Sequence, residues 1–65
     1  MAELSLEKVY ALLGTRRIQG SAKELDMLCI RLGELVELNG EEWVAQNRQN
    51  LLDQWEYAVS NRMIG

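Results

Sequence analysis

The side chains here that could do chemistry are one thiol, four clustered glutamates and a small basic group. Cys29 is the thiol; the carboxylates are Glu34, Glu37, Glu41 and Glu42; the cations are Arg16, Arg17 and Lys23. Histidine is absent from the chain. That removes the commonest general base, the commonest metal ligand and every His-containing triad or zinc pattern. No phosphate-cradling glycine loop, GxGxxG or CxxC motif occurs either.

Each remaining candidate has a plain structural reading. Cys29 falls inside an apolar helical stripe and has no basic neighbour in sequence to stabilise a thiolate, so a buried, inert thiol is expected. Glutamates three apart on a helix can share a divalent cation, but the carboxylate di-metal bundles also need Glu-x-x-His pairs. Glu41 and Glu42 instead suit the first turn of a helix, where anions complement the helix dipole. Arg16, Arg17 and Lys23 are candidates for contact with an anionic partner, either a phosphate backbone or an acidic protein surface. No aromatic residue is interleaved with them, so stacking on single strands is unsupported. The expectation is no enzyme, no cofactor and no metal.

The formal net charge of −3 is unevenly distributed. Residues 1–33 carry five Lys/Arg against four acids, and residues 34–65 carry two against six. The second half would repel nucleic acid, and the first is too weakly basic for non-specific binding to be the default. The 65 residues suffice for one small domain, near the lower limit for folding without a disulfide or metal. A lone cysteine allows no internal disulfide, the N-terminal residues do not resemble a secretion signal, and no apolar run approaches membrane-span length. A cytoplasmic location with no membrane contact is the expectation.

The elements that must position these side chains are helices. Proline is absent, and no strand-like alternation is visible. Ser5 is a good N-cap for a first helix over residues 5–13, with Leu6, Val9, Tyr10 and Leu13 on one face. Gly14 is its expected stop. Ser21-Ala22-Lys23-Glu24 reads as a capping box that opens a second helix over residues 21–38. Asn39-Gly40 ends it, and Asn39 with Glu42 fits a second capping arrangement for a third helix over residues 41–63. Leu38 with Trp43 fits a hydrophobic staple there. So short a connection predicts an antiparallel hairpin of the second and third helices, with the first packed across it. Val44, Leu51, Leu52, Trp55, Ala58 and Val59 then face the second helix.

Helix 2 carries two apolar faces. Leu25, Leu28, Cys29, Leu32, Leu35 and Val36 form one stripe; Met27, Ile30 and Leu38 lie on the other side. A helix with two such faces must be covered twice. The second cover is either the N-terminal helix or another chain, and Glu34, interrupting that face, favours a polar interface over a dry core. Asn47, Arg48 and Arg62 fall on the inner side of helix 3, as rim residues or as pairing partners across an interface.

The sequence therefore predicts an all-α, three-helix protomer that assembles as a dimeric helical bundle. Its expected function is a non-enzymatic protein–protein interaction module, such as a small adaptor, assembly factor or inhibitor. Its partners are a second copy and a basic protein surface, met through Met27, Ile30, Glu34, Leu38, Arg48 and Arg62. The alternative is a nucleic-acid-binding adaptor using Arg16, Arg17 and Lys23.

Overall fold

Local capping chemistry sets three of the helix ends. In the computed structural model, which describes residues 3–61, Ser5 has extended backbone and its side chain accepts a hydrogen bond from the Lys8 N–H. Helix α1 (Leu6–Leu13) starts there and stops at Gly14, whose φ of 74° is a left-handed conformation that glycine adopts without strain. The capping box forms in full. Ser21 Oγ accepts from the Glu24 N–H at 3.2 Å, and Glu24 Oε1 accepts from the Ser21 N–H at 2.8 Å. Helix α2 (Ala22–Asn39) follows, so the first two helices are separate.

The expected third helix is two. Helix α3 (Glu41–Gln46) and helix α4 (Arg48–Ser60) are separated at Asn47, with φ −102° and ψ 14°. The cause is legible in the local chemistry. Between Val44 and Leu51 the inner positions 47 and 48 are polar, so no core anchor holds the helix straight across them. Asn47 instead turns its side-chain amide back onto the Trp43 carbonyl at 2.8 Å, and Arg48 donates to the Ala45 carbonyl at 3.0 Å. The Trp43 carbonyl thus accepts from both the backbone and the side-chain N–H of Asn47, and side chains that compete for carbonyls in this way favour a break in the helix. The second capping arrangement does not form either. Gly40, with φ 92°, is the residue ahead of α3, and no side chain caps it. Leu38 is 80% exposed, so no staple buries it. The described part of α4 ends at Ser60; the predicted continuation to residue 63 lies outside the described residues.

One cluster of buried side chains holds the helices together. Val9, Leu12 and Leu13 come from α1, Leu28, Cys29 and Leu32 from α2, Val44 from α3, and Trp55 and Val59 from α4. Each such side chain, fully buried, contributes about 1.5–3 kcal/mol of apolar transfer energy. Leu12 belongs to this core although the sequence stripe of α1 omitted it, because α1 packs against all three other helices and buries a wider face. The N–H of Leu4 donates to the carbonyl of Cys29 at 3.3 Å, which lays the segment ahead of α1 against the middle of α2. Lys8 pairs with Glu41 at 3.0 Å, which ties α1 to the first turn of α3.

Helix α3 lies close against α2, whereas α4 meets α2 through side chains, with no Cα of one within 8 Å of a Cα of the other. Leu51, Gln54, Trp55 and Ala58 share a narrow crevice with Leu28, Arg31, Leu32 and Leu35. Helix α1 packs against both, and the groove beside the crevice, which no α1 residue lines, is its open side.

Candidate interaction surface

Trp55 is the side chain on which the open side is built. It sits in the middle of α4, only 5% exposed, and its indole N–H donates to the Gln19 carbonyl at 2.8 Å. That bond fastens the strap of residues 14–21 between α1 and α2 to a helix 36 positions away. Gly20 sits beside the ring with φ 139°, a conformation that L side chains rarely adopt, and a Cβ there would stand 3.5 Å from the indole and tightly, 3.3 Å, against Glu24 Cβ. Glu24, 7% exposed and fixed by the capping box, completes the cluster. Sequence reasoning placed Trp55 in the core but not this anchor, because a single indole says nothing of which distant carbonyl it will meet.

The groove beside Trp55 has a volume of about 310 Å³ and is lined by Met27, Ile30, Arg31, Glu34 and Trp55. It continues towards Leu28, Leu35, Leu51, Gln54 and Ala58 between the two helices. Three of the residues expected at an interface therefore stand together: Met27, Ile30 and Glu34. Helix α1 does not cover them. Met27 is 45% and Ile30 44% exposed, which answers where the second apolar face of α2 lies in a single chain. Arg31 belongs to the same lining and was not singled out from the sequence. Its signal was there, since residue 31 lies four after Met27 and three before Glu34, on one helical face.

The other predicted positions are elsewhere. Leu38 lies near the C-terminal end of α2, largely in solvent. Arg48 does not point along an inner stripe of α4. It is exposed, its guanidinium closes the end of α3 on the Ala45 carbonyl, and its stem passes about 3.7 Å from where a Cβ on Gly14 would stand. A cation there complements the negative end of α3. Arg62 lies outside the described residues.

Of the basic group, Arg16 is engaged within the chain. Arg16 donates to both carboxylate oxygens of Glu7, at 3.0 and 3.5 Å, and lies 5.5 Å from the centre of the Tyr10 ring. Both members of that pair are well exposed, so its net stabilisation is small. Arg17 and Lys23 remain exposed cations on the strap and on the first turn of α2. Glu41 is engaged with Lys8. Among the described residues no group of three or more His, Cys, Asp or Glu side chains is placed to hold a metal ion. No helix among them is long and apolar enough to cross a membrane.

Cys29 is buried, 4% exposed. Burial, with the negative charges of Asp26 and then Glu3 behind it, raises its thiol above the ordinary value. A group whose pKa is raised by folding holds its proton more tightly in the native state. Its contribution to stability is therefore intact below the unfolded thiol's pKa of about 8.5 and fades as pH rises through the folded value. Disulfide-exchange reagents should label native Cys29 at pH 8 on the order of 100-fold more slowly than the urea-unfolded chain, because access requires local opening. Equal rates would show the thiol to be accessible.

Searches against protein-family models, curated proteins and solved structures match nothing to this chain. The functional reading rests on the groove and its lining.

Proposed function

We propose that this chain is a non-enzymatic protein–protein interaction module, an adaptor, assembly factor or inhibitor, that acts through its helix faces as a homodimer. One observation carries the reading. The groove beside α2 and α4 presents Met27 and Ile30, nearly half exposed, around the edge of a buried tryptophan. Large apolar side chains grouped at a concave surface favour occupation by a complementary apolar surface. The acidic balance of residues 34–65, on α2 to α4, suits attraction of a basic surface.

Sedimentation at micromolar concentration tests the reading directly. The native chain should give about twice its 7.5 kDa mass. Ile30→Asp should give a monomer that keeps its helical circular dichroism, because residue 30 is not in the core. A native chain that sediments as a monomer across the micromolar range overturns the homodimer.

A further inference from the structure

The exposed stripe of α2 is close to self-complementary. Along it, in order, stand Met27, Ile30, Arg31, Glu34 and Leu38, all exposed. Arg31 and Glu34 lie on the groove lining, and neither has an ion pair or hydrogen bond among the described residues. An unpaired cation and an unpaired anion, one turn apart on an otherwise apolar strip, are costly to cover unless the covering surface brings the opposite charges.

A second copy brings them in one orientation only. A two-fold axis crossing α2 between Leu32 and Gly33 runs the two α2 helices antiparallel. It sets Arg31 of each opposite Glu34 of the other, and Met27 opposite Leu38. It also leaves Ile30 of both copies on the same flank of the seam, where each can cover the other. A parallel pairing in register sets Arg31 against Arg31 and Glu34 against Glu34, so like charges meet twice. From this charge pattern, and resting on the homodimer reading above, we infer that a second copy of this chain docks its α2 antiparallel on α2, locked by two reciprocal Arg31–Glu34 pairs. Such an interface is isologous, so each residue acts twice and a single substitution changes two contacts. The apolar ends, Met27 of one copy and Leu38 of the other, become mutual covers. That accounts for an 80% exposed leucine at the end of a helix whose other apolar face is in the core.

Charge reversal tests the register without touching the core. Arg31→Glu and Glu34→Arg each place like charges together twice and should weaken dimerisation roughly 10-fold in sedimentation equilibrium. The double variant Arg31→Glu/Glu34→Arg restores both pairs and should return to within about 3-fold of the native constant. All three should keep native circular dichroism, because both side chains are exposed. Single variants that dimerise as tightly as the native chain, while Ile30→Asp still dissociates it, overturn the antiparallel register and leave the homodimer standing. A native chain that stays monomeric at about 100 µM, far above a micromolar dissociation constant, overturns the register and the homodimer together.

Discussion

Trp55→Ala is expected to remove most of the stability of this fold. Truncating a buried tryptophan costs about 3–5 kcal/mol, and a chain of this length has on the order of 3–10 kcal/mol to lose. The effect here extends beyond a cavity. The Gln19 carbonyl loses its donor, and the strap that Gly20 allows to lie on the indole loses the surface it rests on. With Gln19 released, the start of α2 depends on the Ser21–Glu24 capping box alone. Thermal unfolding followed at 222 nm should show the midpoint falling by at least ~15 °C, or no cooperative transition at all. Trp55→Phe keeps most of the apolar surface and removes only the N–H, so about 1–2 kcal/mol is expected from the orphaned carbonyl. A loss below 1 kcal/mol for Trp55→Ala would mean that α4 is not held to the strap through this residue.

The difference between those two variants also explains which parts of the fold could be read in advance. Ser5, Gly14 and the Ser21–Glu24 box were legible because capping is settled within four residues: the side chain and the N–H it serves are neighbours in sequence. The break at Asn47 was not. The pattern Val44, Leu51, Trp55, Ala58 fits a single straight helix, and only the polar gap at 47 and 48 hints that nothing fixes the helix across it. Whether a helix bends at such a gap depends on what lies on either side of it. Here α3 is held by α2 and by Lys8 of α1, while α4 is held by α1 and by the Gln19 carbonyl, so the two halves follow different neighbours. That information is tertiary.

The surface residues divide in the same way. Met27, Ile30 and Glu34 were found because helical periodicity alone puts them opposite the stripe of Leu28 and Leu32. What that periodicity left open was whether α1 would lie over them. Helix α1 buries its own wide apolar face, Val9, Leu12 and Leu13, in the core it shares with the other three helices, and the Met27 and Ile30 side of α2 stays uncovered. Arg48 misled for the opposite reason. Its position in the repeat suggests an inward face, but an arginine two residues past a helix end finds the terminal carbonyls close by, and Ala45 supplies one. A long, flexible cation at a helix terminus follows the nearest acceptor rather than the stripe.

Leu32 and the exposed side of α2 can be separated by one experiment, because their contributions differ in how they depend on concentration. Leu32 is 1% exposed at the centre of the core, and Leu32→Ala should cost about 3–4 kcal/mol. That loss lies within one chain, so it should lower the denaturant midpoint by the same amount at 1 µM and at 100 µM protein. Leu38, 80% exposed, is expected to tolerate alanine within about 0.5 kcal/mol at the lower concentration. A face that is covered only by association behaves differently. Its contribution enters by mass action, so the native midpoint should climb between the two concentrations, and Ile30→Asp should flatten that climb while leaving the dilute midpoint nearly unchanged. Equal midpoints for the native chain at both concentrations would place all of its stability inside the single chain. Met27, Ile30 and Leu38 would then be apolar surface that the fold leaves in water.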